Sequence, residues 1–495
     1  FDPRSSLSFT FSEGLDRQSA LEKTKLIDAA GHEAEIDVRL SQRNTVLTIV
    51  ARSPLKLGST YTVRFDEVTD ASGNAVAGPA FVVKTFQPRR VGPAFQPGHT
   101  FPVTGLTTWR TEVAGRTRTF AAGTKRSGGF PDPTLSVLEL TDADAPAQVG
   151  QDHLGDASFT TKRSAMATGV VNMPITTVTS MGQAVNPCGG GTTFSGDLLA
   201  VSRDSTSPNA GFTAGVTFYD VTNPAAPCVL GGKAIVSNLP GLARQTIQSF
   251  GFAGGVGLLR YEQGILAFVA VERVGLFSVD VGKWIYRDIA VDDFRRDPYV
   301  PGDYRRVEVA GNRVIAMSRS TATIDVFDPA LAQLQSFPVQ FEDELLDMAY
   351  AERFQIDLNE DGVIDGNELR NLVFVGGTHG LSVVDITDLN NVVQRAFVPL
   401  AQRAASVKVD VHNRRVVLSA FDPTGAENTD ERVYLLDFST PRSLIPADAN
   451  GDGDDDRIVW KSPPGLYSQG GGRLLALDEA RGLFYVASGD YGKGN

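Results

Sequence analysis

The chain has 495 residues, of which 42% are hydrophobic, and a formal net charge of −12. This length and composition allow two or more domains with buried cores, and they exclude a disordered or fibrous chain. Charged residues interrupt even the most apolar stretch, residues 256–281, so the sequence excludes a membrane-spanning helix. The chain begins at Phe1 without an initiator Met or a leader pattern, so we expect a processed product or an excerpt of a longer protein.

Most of the excess negative charge lies in two short loops, residues 357–368 and 448–456. Each loop carries five carboxylates, and together they account for ten of the twelve excess charges. Packed carboxylates repel one another unless a cation lies among them. The rest of the chain is close to neutral and has no basic patch, so neither nucleic acid nor insertion into a membrane is expected.

Residues 1–88 alternate apolar and polar side chains over several short stretches, such as "LSFTFSE", "EIDVRL", "TVLTIVA" and "TYTVRFDEV". Several short strands in so few residues predict a small β-sandwich. The stretch "NTVLTIVARSPLKLGSTYTVRFDEVTDASGNAV" resembles the bacterial Ig-like domain of large secreted and surface proteins. That resemblance implies a spacer module.

A Pro/Gly-rich bridge at residues 89–97 follows this domain. Pro88, Pro93 and Pro97 stiffen the bridge, so we expect the two flanking units to be held apart.

From residue 98 to residue 495 the chain repeats one pattern, an apolar strand that ends in an acidic residue and is preceded by another apolar strand. The acidic positions are Glu139, Asp220, Asp280, Asp328, Asp385 and Asp437. Short strands at this period predict a β-propeller, so the chain as a whole is predicted to be all-β.

Two of the repeats, "LVFVGGTHGLSVVDITDLNNV" and "VTFYDVTNPAAPCVLGG", resemble the LVIVP-type repeats of bacterial and archaeal surface propellers. The last stretch, residues 471–495, has the pattern of the first two strands of a seventh blade. We therefore expect about seven blades, the last of them incomplete in this chain, with further domains of the same larger protein beyond it.

The first acidic loop, "DLNEDGVIDGNE", has the ligand spacing of an EF-hand calcium loop. Its predicted ligands are the side chains of Asp357, Asn359, Asp361 and Asp365, the carbonyl of Val363 and both oxygens of Glu368. The flanking sequences indicate the first two strands of one blade, so the loop is predicted to replace a hairpin turn.

The second acidic loop, residues 448–459, lacks the terminal Glu because Val459 occupies position twelve. It resembles the nine-residue calcium loop of integrin-type FG-GAP repeats and, more loosely, a loop of type IV pilus tip adhesins. The resemblance implies side-chain ligands at Asp448, Asn450, Asp452 and Asp456, and the carbonyl of Asp454. We therefore expect two Ca²⁺ ions, both on one face of the propeller because a–b and c–d turns emerge at the same end of a meander.

The two cysteines, Cys188 and Cys228, flank one predicted pair of strands whose ends can meet. A disulfide is the predicted outcome and two buried thiols are the alternative. A disulfide would place the protein outside the cytosol.

The function predicted from these features is an extracellular, calcium-stabilised bacterial surface or appendage protein that acts as an adhesion or binding scaffold. A protein or glycan ligand would bind the propeller face opposite the calcium loops. No motif for a nucleophile, a zinc site or a phosphate loop occurs, and a lone turn histidine such as His379 is a weak catalytic signal, so we expect no enzyme. The alternatives are a calcium-dependent lactonase or esterase and a subunit of an extracellular filament.

Overall fold

The computed structural model describes much of the chain. The described residues are 6–52, 54–76, 78, 80–89, 103–125, 135–143, 145–152, 164–169, 175–176, 187–189, 193–207, 211–234, 253–261, 264–284, 290–291, 298–356, 365–422, 431–439, 448, 453–463 and 472–488.

The first domain is a sandwich of two three-stranded antiparallel sheets with strand orders β1-β4-β3 and β2-β5-β6. Its elements are β1 (Leu7–Thr10), α1 (Arg17–Lys23), β2 (Lys25–Asp28), β3 (Ile36–Ser41), β4 (Val46–Ala51), β5 (Thr60–Arg64) and β6 (Phe81–Lys84). Leu26, Leu47, Ile49 and Val63 are buried between the two sheets. Burial of alternate side chains explains the period of two in the sequence.

Eight further sheets lie within the described residues, and seven of them are numbered in chain order, the eighth being a short two-stranded pair. Sheet one contains β7 (Val103–Val113), β8 (Arg116–Lys125), β9 (Leu135–Glu139) and β10 (Ala147–Asp152). Sheet two contains β11 (Ser164–Gly169), β14 (Leu198–Ser207), β15 (Gly211–Asp220), β16 (Cys228–Ala234) and β20 (Ala290–Val291), with β12 (Ile175–Thr176) and β13 (Thr193–Phe194) as a separate pair. Sheet three contains β17 (Ala253–Tyr261), β18 (Gly264–Val271), β19 (Gly275–Asp280) and β21 (Tyr299–Pro301), with the short helix α2 (Val281–Trp284) after β19.

Sheets four to six are regular four-stranded meanders. Sheet four contains β22 (Tyr304–Ala310), β23 (Arg313–Ser318), β24 (Thr323–Phe327) and β25 (Gln333–Pro338). Sheet five contains β26 (Leu345–Gln355), β27 (Leu369–Gly377), β28 (Gly380–Asp385) and β29 (Val393–Pro399). Sheet six contains β30 (Arg403–Asp410), β31 (Arg415–Phe421), β32 (Arg432–Asp437) and β33 (Ile458–Lys461). Sheet seven contains the two strands β34 (Gly472–Asp478) and β35 (Leu483–Ser488).

The first strands of successive sheets lie next to one another, in the order β7, β11, β17, β22, β26, β30 and β34. Strand β34 also contacts β7, and the hydroxyl of Thr108 on β7 donates a hydrogen bond of 2.8 Å to the carbonyl of Leu477 on β34. Arg481, after β34, donates to the carbonyl of Leu140 in sheet one at 2.8 Å. The seventh sheet therefore contacts both the sixth sheet and the first.

The middle strands of the sheets are buried on both faces. Strand β28 is buried along its whole length, and so is most of β27. Apolar side chains of sheets five and six form one cluster, which includes Phe374, Val383 and Leu418. This packing explains why these strands are nearly continuous apolar runs instead of alternating ones.

The all-β prediction is confirmed, but the expectation that the two units are held apart is wrong. Leu57 of the first domain is buried in a cluster with Val433, Leu435 and Val459 of sheet six. The Leu57 N–H also donates to the Val459 carbonyl at 2.7 Å. Removing an apolar side chain from water while satisfying two backbone groups favours contact over separation.

No helix within the described residues is both long enough and apolar enough to span a membrane.

Candidate metal centres

The first acidic loop joins β26 and β27, so its predicted place in a hairpin of sheet five is confirmed. The N–H of Ile356 donates to the carbonyl of Glu368 at 3.1 Å, which brings the two ends of the loop together. Asp357, Asn359, Asp361 and Val363 lie outside the described residues. A β-hairpin therefore supplies the closed ends that a twelve-residue calcium loop needs.

The last four residues of this loop form a compact turn. The N–H of Asp365 donates to Oε2 of Glu368 at 3.0 Å, and the N–H of Glu368 donates to the Asp365 carbonyl at 3.1 Å. Glu368 is only 3% exposed, although it follows a stretch rich in charge. A buried carboxylate requires compensation by hydrogen bonds or by a cation. The Glu368 carboxylate has the chemistry of the bidentate oxygen ligand that Ca²⁺ takes at position twelve of such a loop.

The second acidic loop joins β32 and β33. Asp448 Oδ2 accepts a hydrogen bond of 3.2 Å from the N–H of Gly453, whose φ of +81° suits glycine in a tight turn. Asn450 and Asp452 lie outside the described residues. Strand β33 begins at Ile458, so the last two positions of the predicted 448–459 loop belong to the strand instead.

Basic side chains already engage two carboxylates of this loop. Lys461 Nζ lies 2.5 Å from Asp454 Oδ2, and Arg457 Nε donates to Asp455 Oδ1 at 2.6 Å. The Asp454 carboxylate is therefore paired with Lys461. The calcium ligand predicted at this residue is its backbone carbonyl and not its carboxylate. Asp456 faces the first domain, in a cleft that Lys56 also lines.

Within the described part of the chain, no group of three or more His, Cys, Asp or Glu side chains is arranged to hold a metal ion. Six of the eleven predicted ligands lie outside that part. The described residues provide closed loop ends and oxygen donors of the right kind, and calcium binding remains a prediction.

The predicted disulfide is confirmed. Cys188 and Cys228 are bonded, with their Cα atoms 5.7 Å apart. Cys228 begins β16, and Cys188 packs against the cluster that includes Phe218 and Val269 of sheets two and three. The bond ties the segment between β12 and β13 to the fourth strand of sheet two.

Several of the recurring acidic residues are turn caps, a role that the repeat pattern alone did not show. The carboxylates of Asp220, Asp385 and Asp437 each accept a hydrogen bond of 2.9 Å from the N–H two residues later. Asp385 also accepts from Arg395 at 2.9 Å. These residues end the third strand of their sheets and shape the turn to the fourth.

His379 lies in a β27–β28 turn that two acidic residues organise. His379 Nε2 is 2.9 Å from Asp343 Oδ2, and Glu342 Oε2 accepts from the His379 N–H at 2.8 Å. Burial raises the pKa of Glu342 to about 7, and its other oxygen, Oε1, is buried without a hydrogen-bond partner. Glu342 could not be predicted from the sequence, because it belongs to the loop that precedes β26 and meets the His379 turn only in the fold.

A second charged cluster joins the first strands of sheets four, five and six. Arg306 Nε lies 2.7 Å from Asp347 Oδ1, and Asp347 Oδ2 accepts from the Val407 N–H at 2.9 Å. Burial opposes ionisation of Asp347, but Arg306, Lys408 and that N–H hold its pKa below the ordinary value. Burial raises the pKa of Glu308, against the attraction of Lys408, to about 7. The cluster links three neighbouring sheets.

Comparison with known proteins identifies the first domain. Residues 1–87 match the family model described as a bacterial Ig-like domain. The first domain is a bacterial Ig-like domain. No curated protein matches the chain.

Two solved structures share a low likeness with the chain. Raptor from Chaetomium thermophilum is 11% identical with a TM-score of 0.43, and the match covers 79% of this chain and 27% of the Raptor chain. The computationally designed protein Ika8 is 10% identical with a TM-score of 0.39, and the match covers 94% of this chain and 97% of that chain. Neither likeness carries an argument about function.

Proposed function

We propose that this protein is a calcium-stabilised component of the bacterial surface or of an extracellular appendage, and that it acts as an adhesion or binding scaffold. The observation that carries the proposal is the bacterial Ig-like domain at residues 1–87, a module typical of bacterial surface proteins. The disulfide between Cys188 and Cys228 supports an oxidising, extracellular location. The contacts between successive sheets support a seven-bladed propeller as the binding unit.

In this proposal the two acidic loops hold one Ca²⁺ ion each and stabilise the fold. The first loop closes a hairpin of sheet five and the second joins the last two strands of sheet six, so each ion would tie neighbouring strands together. Calcium at ten times its dissociation constant stabilises a folded protein by about 1.4 kcal/mol per site. A rigid β-hairpin suits a permanent stabilising role better than a sensor, which needs a pair of helices that can open.

The ligand face is proposed to be the one opposite these loops. Phe341, in the loop between β25 and β26, is 65% exposed and stacks on Phe397 with ring centroids 5.1 Å apart. Asp343 and His379 lie on the same loop and the turn beside it. An exposed aromatic ring next to polar groups is a surface that fits a sugar ring or a protein side chain.

A glycan array and a panel of host-surface proteins test this face, probed with the whole chain in millimolar calcium. We expect a ligand whose binding falls at least tenfold in Phe341→Ala, while Tyr261→Ala, a change of an exposed ring in sheet three, leaves it unchanged. Binding that Phe341→Ala leaves intact would contradict the proposed face, and a complete absence of binding across both panels would contradict the scaffold role.

One observation favours the alternative of a calcium-dependent hydrolase. His379 and Asp343 form a histidine–carboxylate pair at 2.9 Å, and such a pair can act as a general base. A panel of lactones and esters, assayed with calcium and with a chelator, tests this reading. Calcium-dependent turnover that is lost in His379→Gln would establish it, whereas no turnover would exclude it.

A further inference from the structure

A cluster of charged side chains lies at the edge of the sheets opposite the two acidic loops. Its members come from four successive sheets and are Glu272 after β18, Arg305 in β22, Arg319 after β23, Glu344 before β26 and Arg403 at the start of β30. In antiparallel meanders the first strand starts and the second strand ends at the same edge. The cluster therefore belongs to the proposed ligand face.

Glu344 is the centre of this cluster. Its Oε1 lies 2.6 Å from Arg319 Nη2 and 3.5 Å from Arg305 Nη1, and its Oε2 lies 3.9 Å from Arg403 Nη1. Glu272 is the second carboxylate, and its Oε2 lies 3.5 Å from Arg319 Nη1. The cations of this cluster outnumber its anions. The two carboxylates hold together guanidinium groups that would otherwise repel one another.

Arg403 keeps hydrogen-bonding capacity for a further partner. A guanidinium group carries five N–H donors. The distance of 3.9 Å between Arg403 and Glu344 is an ion-pair distance and exceeds the length of a hydrogen bond. The Arg403 side chain is 38% exposed. Glu344 therefore attracts the Arg403 guanidinium without occupying its N–H groups.

Backbone hydrogen bonds place this cluster beside the exposed aromatic ring of Phe341. The N–H of Thr378 donates to the carbonyl of Glu344 at 3.1 Å, and the N–H of Leu400 donates to the carbonyl of His379 at 2.9 Å. The β27–β28 turn thus lies between the β25–β26 loop, which carries Phe341 and Glu344, and the β29–β30 loop, which leads to sheet six. An aromatic ring, an imidazole and a guanidinium group therefore share one continuous surface.

The aromatic part of this surface suits a sugar ring. Phe341 is 65% exposed and its ring stacks on that of Phe397, which supports it from one side. A sugar ring has an apolar face of C–H groups and an edge of hydroxyl groups. A supported, exposed ring next to hydrogen-bonding side chains matches both features, because the ring needs little ordering when the sugar binds.

We propose that this surface binds a sugar that carries a carboxylate. The sugar ring would lie against Phe341, and the Arg403 guanidinium would donate two parallel N–H groups to the carboxylate. The exposed carboxylate of the surface, Asp343, lies 2.9 Å from His379 Nε2 and is paired there. This inference rests on the proposed function, because it assumes that this face binds a ligand.

Binding of short acidic oligosaccharides to the full chain tests the inference, in millimolar calcium and about 0.15 M salt. The probes are a galacturonic acid trimer, a hyaluronan tetramer and sialyllactose, each compared with its methyl ester. We expect at least one acidic probe to bind. Its affinity should fall at least tenfold on esterification, because the ester keeps the sugar and removes the negative charge.

Substitutions show which side chain recognises the carboxylate. Arg403→Gln should weaken binding of that probe at least tenfold, and Arg403→Lys should weaken it less, because an ammonium group keeps the charge and loses the planar fork. Arg52→Gln is the matched control and should leave binding unchanged, since Arg52 pairs with Asp37 on the Ig-like domain and its side chain is 44% exposed. The ester comparison needs no substitution, so it tests the inference even if Arg403→Gln fails to fold.

The remaining outcomes separate this inference from the proposed function. Equal affinity for an acid and its ester, or binding of neutral glycans only, would overturn the acidic-sugar inference and leave the scaffold role standing. Polyglutamate that binds as tightly as the best oligosaccharide, and with the same dependence on Arg403, would overturn it in favour of an acidic peptide. No binding of any acidic probe would also overturn it, and the glycan array and protein panel then test the scaffold role independently.

Discussion

Leu57 and Val459, 402 residues apart in sequence, share a backbone hydrogen bond of 2.7 Å and lie in one apolar cluster. This contact joins the bacterial Ig-like domain to the outer edge of sheet six. A domain that docks in this way has a fixed orientation relative to sheet six. Three contacts support it, from Lys56, from Leu57 and from the Phe86–Arg415 pair.

Leu57→Ala is expected to lower the free energy of unfolding by about 2 kcal/mol, because it removes buried methyl groups from the interface. Urea denaturation followed by tryptophan fluorescence measures the loss. Leu21→Ala is the matched control, since Leu21 is 43% exposed and its truncation should cost less than about 0.5 kcal/mol. Equal effects of the two substitutions would contradict the interface.

Asp385→Ala is expected to lower the free energy of unfolding by about 3 kcal/mol. Asp385 is 4% exposed and accepts from the Thr387 N–H and from Arg395, so truncation removes the acceptor of two hydrogen bonds that involve a charged group. Asp388→Ala is the control, because that carboxylate caps the N–H of Asn390 at the surface and should be worth about 1 kcal/mol. If Asp388→Ala costs as much as Asp385→Ala, the third-strand acidic residues are not the turn caps described above.

Glu342 is expected to make stability depend on pH. Burial raises the pKa of its carboxyl to about 7, so the folded protein retains a proton that the unfolded chain releases above about pH 4.5. The folded state then binds more protons than the unfolded state, and stability falls as pH rises between these two values. Below about pH 4.5 the carboxyl is protonated in both states and its burial carries no penalty.

Glu342→Gln removes this titration and keeps a carbonyl oxygen that can accept from the His379 N–H. The variant should gain about 1 to 3 kcal/mol relative to the wild type between about pH 5 and about pH 8. Urea denaturation at several pH values measures the difference. A constant difference across that range would show that the Glu342 carboxyl does not titrate there.

The strands were predictable because buried sheets impose a simple pattern. Middle strands such as β27 and β28 are apolar along most of their length because both faces are covered, and the acidic residue that ends a third strand such as β28 marks the following turn. Five of the six predicted acidic positions are the last residue of the third strand of their sheet, and the sixth, Asp328, directly follows β24. The long interval between Glu139 and Asp220 includes the inserted pair β12 and β13.

Other features depended on contacts that a linear pattern does not encode. Helix α1 begins after Asp16, which caps the N–H of Ser19, but seven residues are too few for a clear helical period. The sequence around Leu57 does not distinguish it from other leucines in loops. Its place in the interface depends on its contact with Val459 in the fold. Glu342 reaches the His379 turn from another loop, so only the fold brings them together. The two acidic loops were visible in the sequence because the predicted ligands of each lie within one short segment.

The double substitution Cys188→Ser and Cys228→Ser is expected to lower the free energy of unfolding by about 4 kcal/mol. The disulfide closes a loop with a sequence separation of 40 and so restricts the unfolded chain. Thermal melting with and without a reducing agent measures the effect. The reducing agent should lower the melting temperature of the wild type and leave that of the double variant unchanged. A wild type insensitive to complete reduction would contradict a stabilising role.

The proposed function depends above all on calcium binding by the two acidic loops and on the stability that calcium adds to the fold. Isothermal titration of the full chain with CaCl₂, combined with thermal melting of the same samples, tests it most directly. We expect two ions to bind per chain and the melting temperature to rise with millimolar calcium. Glu368→Gln and Asp448→Asn should each bind one ion fewer than the wild type. No binding heat and an unchanged melting temperature at millimolar calcium would contradict it.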